Sequence, residues 1–549
     1  MNLTVKQVSS LEKIRAYGIG KVKTVCRRTI MGGESFSYQL AIQSSDNTEL
    51  HMQVISPLKD YIKLYTVKNT VMDFAVYEDA DDDYITKEPG LMPDILMPLE
   101  LESDSLRLVN ESEAIWVSVS VPENTTSGEY PITVSISSSG ECEAAEIKQT
   151  MILDVIAATV PKQHTIFTQW FHVDCIANVH NVPIYSEEHW SLIDKYMSLA
   201  SELGINMILT PIITPPLDTG IGLTRPCTQL VKIEKKDESY SFDFSLLKRW
   251  TTLADKNNIK YFEMSHLFSQ WGLKYAPNIK ITENGEESYM FGWHVDAQSD
   301  EYRNFLNQFL PALIEFCKAE GIKERCWFHV SDEPSAEHLP AYKYACDIIK
   351  PLIDGCPTLD AISNYDFYEK GLIPNPVTAT DHIDVFIENN VKNQWAYYCC
   401  GQCKKVGNRF LAMPSYRNRI LGLQMYKYNI NGFLHWGYNF YNNQLSRKRI
   451  NPYITSSSDK AFPSGDPFSV YPITNGVVPS LRAVVFKEAL NDIEVCRMLE
   501  GYIGRDEVIN MIDSAAGMNL TFSEYPKNSE FIPSLIEKFE QIIKSHIKN

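Results

Sequence analysis

Eight short apolar segments in the second part of the chain constrain its fold more than any other feature. Longer stretches with helical periodicity separate several of them, and this alternation is typical of βα units around a parallel sheet. Eight such units predict a closed (β/α)8 barrel with its active site at the carboxyl ends of the strands. The predicted strands are residues 165–172, 206–210, 260–267, 326–330, 359–363, 384–388, 395–399 and 432–436.

The first 160 residues have a different texture. Apolar and polar residues alternate, as in Ile115, Val117 and Val119, which predicts strands with one buried face and therefore a β-sandwich. From Ser480 the apolar spacing becomes helical. We therefore expect a multi-domain protein: a β-sandwich over residues 1–160, a catalytic (β/α)8 barrel over 161–500, and C-terminal helices packed on the barrel over 501–549.

Composition and charge exclude several classes of function. The 69 Asp and Glu residues outnumber the 51 Lys and Arg residues, giving a net charge of −18, which disfavours nucleic acid or an anionic membrane as the main partner. No apolar run reaches the length of a membrane helix, and the first residues do not resemble a signal peptide. Twelve cysteines without framework spacing suit a reducing compartment, so we expect a cytoplasmic protein. The sequence does not indicate the oligomeric state.

Two adjacent acids, Asp332 and Glu333, directly follow the fourth predicted strand. Neighbouring carboxylates repel each other, so one of them should keep its proton to a higher pH, as a general acid requires. A solvated loop or a helix start is the alternative interpretation of an Asp-Glu-Pro run. The position at the end of a buried barrel strand favours a catalytic role for both acids.

A long stretch without acids follows Glu388. Residues 389–458 contain no Asp or Glu but ten Lys and Arg, eight Tyr, Trp395 and Trp436. A conventional retaining glycosidase needs a second carboxylate as nucleophile about 5 Å from the acid, and the seventh strand cannot supply it. This favours a substrate-borne nucleophile, and the aromatic residues suit the faces of sugars. A basic surface for an acidic partner is the alternative.

Further candidates for the pocket stand at the predicted strand ends. Cys399, Cys400 and Cys403 have Cys-x-x-Cys spacing, but no second ligand pair stands nearby in sequence, so we expect no metal and no cofactor. The substrate-binding candidates found at strand ends are Trp170, His172, Asn364, His435 and Trp436.

The run Phe-His-Val-Ser-Asp-Glu-Pro at residues 328–334 resembles a motif of glycoside hydrolase family 123. Segments 93–98, 121–124, 432–437 and 465–472 resemble the family too, so the likeness spans residues 34 to 499. It implies a β-N-acetylgalactosaminidase with a sandwich and a barrel that acts on a carbohydrate with terminal N-acetylgalactosamine. Glu333 would be the acid/base, Asp332 would hold the 2-acetamido group, whose oxygen attacks the anomeric carbon to form an oxazolinium intermediate, and Tyr398 would join the pocket.

Two other classes of function remain open. One is a barrel glycosidase for another sugar, with Glu263 or Glu388 as a conventional nucleophile. The other is a catalytically silent carbohydrate-binding protein on the same scaffold, since fold alone does not fix function. The intact pair Asp332 and Glu333 argues against the silent protein.

Overall fold

The computed structural model describes residues 3–44, 48–100, 106–108, 112–139 and 146–547; the outer limits of the expected first and third domains, residues 1 and 549, lie outside them. The N-terminal part is rich in strands, which form two five-stranded sheets of order β1-β3-β8-β5-β6 and β2-β10-β9-β4-β7. The strands are β1 Leu3–Ser9, β2 Arg27–Gly32, β3 Ser35–Ser44, β4 Thr48–Ile55, β5 Ile62–Met72, β6 Gly90–Pro98, β7 Leu106–Leu108, β8 Ser112–Ser120, β9 Gly128–Ser139 and β10 Glu146–Thr159.

The alternating pattern read from the sequence explains this arrangement. Ile115, Val117 and Val119 of β8 are fully buried and share one hydrophobic cluster with Ile132 and Val134 of β9, which belongs to the other sheet. Residues two apart on a strand point to the same face, so each sheet presents its apolar face to the other. The prediction of a sheet-rich N-terminal region is confirmed.

Eight parallel strands form the second architecture, in the order β18-β15-β12-β11-β22-β21-β20-β19. A parallel bridge between Phe328 and Thr358 joins the two ends of this sheet, so the barrel is nearly closed. The remaining strands form small sheets in the connections. The strands are β11 Ile166–Gln169, β12 Met207–Thr210, β13 Lys232–Lys236, β14 Ser239–Asp243, β15 Tyr261–Met264, β16 Ile279–Glu283, β17 Glu286–Phe291, β18 Cys326–Phe328, β19 Leu359–Ile362, β20 Asn375–Ala379, β21 Trp395–Tyr397, β22 Gly432–His435, β23 Val470–Ile473 and β24 Gly476–Pro479.

One predicted barrel strand is wrong. Residues 384–388 form the short helix Asp384–Glu388, and the sixth barrel strand is β20, Asn375–Ala379. This strand pairs on both sides although it contains Pro376, which lacks a backbone donor. Proline normally argues against a central strand, so the sequence favoured the more apolar segment that follows.

Helices connect the barrel strands, and helices also form the last part of the chain. The long helix α10 packs on α9, α11 and α12, so the prediction of a helical C-terminal end is confirmed. No helix among the described residues has both the length and the apolar character needed to cross a membrane. The helices are α1 Val173–His180, α2 Glu187–Glu202, α3 Ser245–Lys256, α4 Asp300–Ala319, α5 Leu339–Ile349, α6 Asp366–Glu369, α7 Asp384–Glu388, α8 Tyr416–Arg419, α9 Leu421–Lys427, α10 Leu481–Ile503, α11 Arg505–Ala516 and α12 Phe531–Ile547.

Buried ion pairs join the N-terminal sheets to these helices. Asp94 on β6 is fully buried and accepts hydrogen bonds from Nε and Nη2 of Arg482 on α10, both at 2.9 Å. Glu540 on α12 is equally buried and pairs with Arg28 on β2. Because an unpaired buried charge is very costly, each pair ties the two parts of the chain together.

We expect Gly432→Ala to destabilise the barrel strongly. A Cβ atom at Gly432 would lie 2.2 Å from the ring of Trp395, the buried residue opposite it on β21. Overpacking of this kind costs about 1–3 kcal/mol or more, and the melting temperature should fall accordingly. Gly501→Ala is the matched control, because nothing lies within 4 Å of that position on α10, so alanine should leave stability equal or higher. An unchanged melting temperature for Gly432→Ala would contradict the packing described.

Candidate active site

A cavity of about 630 Å³, including its open mouth, lies at the carboxyl end of the barrel strands. Inward-facing residues of the strands form its floor, and the loops that follow the strands form its walls. Its aromatic and acidic character resembles that of a small-molecule site with a few convergent polar groups. The residues around it include Trp170, His172, Leu217, Asp218, Gln270, Trp271, Asp332, Glu333, Ala361, Tyr397, Cys399, Cys400, Leu434, Trp436 and Phe462.

Asp332 lies in the wall of this cavity with only 6% of its surface exposed. Its Oδ2 accepts a hydrogen bond from Nε2 of Gln270 at 2.7 Å. Burial, and then the neighbouring charge of Glu333, raise the pKa of Asp332 well above the usual range of an aspartate. The two carboxyls therefore titrate as a pair that keeps a proton to unusually high pH.

Glu333 follows in a strained backbone conformation, with φ at +43°. Its side chain reaches solvent at the cavity mouth, and Oε1 accepts a hydrogen bond from Oη of Tyr397 at 2.7 Å. The surrounding walls still remove enough water to raise the pKa of Glu333, while the Tyr397 hydrogen bond opposes that rise. A carboxyl at an accessible mouth whose raised pKa favours the protonated form is suited to general acid catalysis.

Three tryptophans line the cavity, and two of them are held by hydrogen bonds. Trp436 is fixed by a hydrogen bond from its Nε1 to Oδ2 of Asp466 at 3.0 Å. Trp170 is anchored from below, because its Nε1 donates to Oε1 of Glu263 at 2.7 Å. Trp271 is half exposed at the mouth. Rigid aromatic walls of this kind suit the C–H-rich faces of a sugar ring.

A buried charge network lies beneath the cavity floor. The imidazole of His329 contacts Glu263 through Nε2 at 2.6 Å and Asp360 through Nδ1 at 2.8 Å, and all three side chains are buried. Burial alone would lower the pKa of His329, but the two carboxylates outweigh it and raise that pKa to about 10. The histidine is therefore an imidazolium held between two carboxylates.

His266, His329 and Asp360 also lie close enough together to be considered as metal ligands among the described residues. The rings of His266 and His329 are stacked at 4.0 Å, however, and both nitrogens of His329 face carboxylates. Stacked imidazoles direct their lone pairs into nearly parallel planes rather than toward one ion. The geometry favours an ion-pair network, and independence from metal remains a prediction.

We expect the stability of the protein to fall as the pH rises from about 7 toward 10. A histidine whose folded-state pKa is about 10 stabilises the fold fully below its unfolded value near 6.5 and loses that contribution as the pH rises through 10. Melting temperatures measured across this range should decline for the wild type and decline much less for His329→Gln. His294→Gln, on an exposed residue, should keep the wild-type slope. Identical slopes for all three proteins would refute the protonated His329.

The structure brings together five of the eight residues predicted for the site: Asp332, Glu333, Trp170, His172 and Trp436 all line the cavity. The other three lie elsewhere, and their role in substrate binding remains a prediction. Tyr398 points away from the barrel interior and donates to Asn418 at 2.8 Å, and His435 accepts from Arg409 at 2.8 Å. Asn364 accepts from the backbone of Asp366 at 2.9 Å.

Ten of the fifteen described residues that line the cavity were not among the predicted substrate-binding and catalytic residues, including Tyr397, Asp218, Gln270 and Trp271. The alternation of strand residues could have identified Tyr397. Trp395 and Tyr397 share the hydrophobic cluster inside the barrel, whereas Tyr398 packs in the cluster outside it. Asp218, Gln270 and Trp271 stand on loops, where no periodicity indicates the direction of a side chain.

Comparisons with known proteins indicate the family and the fold of the chain. The model of the glycoside hydrolase 123 catalytic domain matches residues 170–499. A family 123 glycoside hydrolase from Clostridium perfringens, studied for glycolipid glycan hydrolysis, aligns with 100% of this chain and 98% of its own, at 17% identity and a TM-score of 0.74, which supports the fold. An alignment with a β-glucuronidase from Parabacteroides merdae covers 89% of this chain and 51% of that enzyme at 9% identity, but its TM-score of 0.31 does not indicate a shared fold.

No curated protein matches the sequence. The family model nevertheless spans more than half of the 549 residues, and it includes both acids of the cavity. The chain belongs to glycoside hydrolase family 123 and is an enzyme that acts on glycosides.

Proposed function

We propose that the chain is a retaining β-N-acetylgalactosaminidase that uses the acetamido group of its own substrate as nucleophile. The observation that carries this proposal is the adjacent pair Asp332 and Glu333 in one cavity, each held by a different partner. Gln270 orients Asp332 within the wall, and Tyr397 orients Glu333 at the mouth. The two carboxyls can thus serve two different tasks on one sugar. In this proposal the nearly closed parallel barrel is a (β/α)8 barrel that carries the two acids at the carboxyl ends of its strands.

In the proposed reaction, the acetamido oxygen attacks the anomeric carbon while the glycosidic C–O bond breaks. Glu333 gives its proton to the departing oxygen, and Asp332 accepts the N–H of the acetamido group as positive charge develops on the oxazolinium ring. Water then loses a proton to Glu333 and attacks the anomeric carbon, which reopens the ring with overall retention. Substrate-assisted hexosaminidases are known exceptions to the two-carboxylate scheme.

The conventional nucleophiles considered from the sequence receive little support. Glu263 is fully buried beneath Trp170 and contacts Thr168 and His329. Glu388 is the last residue of α7 and is not among the residues that line the cavity. Asp218 does line the cavity, and this observation favours a second candidate function, a retaining glycosidase with Asp218 as carboxylate nucleophile.

Nitrophenyl β-glycosides with and without a 2-acetamido group test the proposal. We expect hydrolysis of the N-acetylgalactosaminide with retention at the anomeric carbon, and at least a 100-fold loss for the sugar without the acetamido group. A trifluoroacetamido substrate should react more slowly than the acetamido substrate, because fluorine weakens the carbonyl oxygen as nucleophile. Equal rates on all three would instead support a protein nucleophile, and no hydrolysis of any of the three would favour a glycosidase for another sugar.

A further inference from the structure

Asp218 is a third carboxyl in the cavity, and the proposed reaction does not use it. It stands on the loop after β12, with 8% of its surface exposed and φ at +38°, a conformation that costs energy for any residue with a side chain. Burial raises the pKa of Asp218 to about 6. Both the buried acid and the strained backbone make the fold less stable, so the position calls for a functional explanation.

The loops around Asp218 hold it firmly. Oδ2 accepts a hydrogen bond from the backbone N–H of Leu445 at 3.1 Å, and the carbonyl oxygen accepts from Oγ of Ser446 at 2.7 Å. Arg225 lies near it but pairs with Asp174 at 2.6 Å. Within the described residues, Oδ1 of Asp218 has no hydrogen-bond partner, and it is not one of the fully buried atoms. Since Asp218 lines the cavity, Oδ1 is an acceptor available to a ligand.

Gln270 fixes where this acceptor stands relative to the two catalytic acids. Its carboxamide accepts from the backbone N–H of Asp218 and donates to Oδ2 of Asp332 at 2.7 Å. Asp218 therefore lies beside Asp332, whereas Glu333 is held by Tyr397. A ligand with one group on Asp332 can therefore present a neighbouring group to Asp218.

We propose that Asp218 binds the 3-hydroxyl of the substrate sugar and so selects against sugars that are substituted or inverted at C3. This rests on the proposed function in one respect, because Asp332 must hold the acetamido group at C2 for C3 to be the adjacent carbon. The 3-hydroxyl then donates to Oδ1, and Gln270 keeps the two contacts in register. A sugar that is substituted or inverted at C3 loses this hydrogen bond and leaves Oδ1 of Asp218 without a partner.

A double-mutant cycle between enzyme and substrate tests this contact. The substrates are nitrophenyl β-N-acetylgalactosaminide and its 3-deoxy, 4-deoxy and 6-deoxy analogues. The enzymes are the wild type, Asp218→Asn, which is isosteric, and Asp218→Gly, which accepts positive φ. We expect wild-type kcat/KM to fall about 10- to 100-fold on the 3-deoxy sugar, as for a hydrogen bond to a charged group. On the parent sugar, kcat/KM of both variants should be lower than that of the wild type by a similar factor. Exchanging the parent sugar for the 3-deoxy sugar should then reduce kcat/KM of either variant by less than a further threefold.

Several results would overturn the contact. If the wild type hydrolyses the 3-deoxy sugar as fast as the parent sugar, the 3-hydroxyl makes no such contact, and no variant is needed to show it. Non-additive effects of the Asp218 variants with the 4-deoxy or 6-deoxy sugar, rather than with the 3-deoxy sugar, would also contradict the contact. Rescue of Asp218→Asn by azide, with formation of a glycosyl azide, would identify Asp218 as a nucleophile. The proposed function fails separately: it depends on the wild-type preference for the acetamido group, whereas this cycle varies only the ring hydroxyls.

Discussion

Replacement of Asp332 by asparagine should slow hydrolysis of every substrate by about the same factor, whatever the leaving group. Asparagine keeps the shape of the side chain and can still accept the hydrogen bond from Gln270. It cannot stabilise the positive charge that develops as the acetamido group closes the ring. Loss of one preorganised charge-stabilising group typically costs about 10²–10³-fold in kcat, and we expect a loss at least this large.

Binding of a thiazoline that mimics the cyclised intermediate provides the second measurement for Asp332→Asn. The wild type should bind it far more tightly than the variant, because the mimic resembles the charged state. A melting temperature close to that of the wild type would exclude general damage; it should not fall, because replacing a buried acid with a neutral amide removes a charge that burial disfavours. Near-normal rates and retained thiazoline affinity would rule out substrate assistance through Asp332.

Glu333→Gln should produce the opposite pattern, a loss that depends strongly on the leaving group. General acid catalysis contributes about 10²–10⁴-fold for poor leaving groups, whereas an activated nitrophenolate departs with little help. We expect a loss in that range on alkyl or sugar aglycones and a much smaller loss on activated aryl glycosides. An equal loss on both kinds of substrate would remove Glu333 from the role of acid.

The pH dependence adds a test whose sign follows from the raised pKa of Glu333. Activity should decline on the alkaline side as the acid pair loses its last proton, at a pH above the ordinary range of carboxyls. Glu333→Gln should remove this alkaline limb for activated substrates, because glutamine has no proton to lose. Tyr397→Phe should move the limb to higher pH, since the tyrosine hydrogen bond stabilises the ionised Glu333 and lowers its pKa. A limb that stays in place in both variants would belong to another group.

The sequence predicted seven of the eight barrel strands because they combine short apolar runs with clear flanking patterns. The exception, β20, contains Pro376 and lies between neighbours that pair with it on both sides. The nearly closed barrel provides those neighbours, and the residues of β20 alone do not indicate them. Tertiary pairing thus overrides a residue preference that usually holds.

The site was predictable where a strand determines the direction of its side chains. Asp332 and Glu333 could be found because they follow β18 after only three residues. Within strands, one residue of error exchanges the inside of the barrel for the outside, which separates the cavity residue Tyr397 from the predicted Tyr398. Asp218 and Gln270 meet only because two loops from distant parts of the chain fold together, and single-sequence patterns do not record such encounters.

The buried pairs Asp94–Arg482 and Glu540–Arg28 bear on how this enzyme can be engineered. Each links a strand of the N-terminal sheets to a helix near the end of the chain. Buried charges therefore join the segments that precede and follow the barrel strands in the sequence. A shortened catalyst that begins at the barrel would lose Asp94 and Arg28 and leave Arg482 and Glu540 without their charged partners. Miniaturisation would therefore require replacements at Arg482 and Glu540, together with polar cover for the helix faces that the sheets now shield.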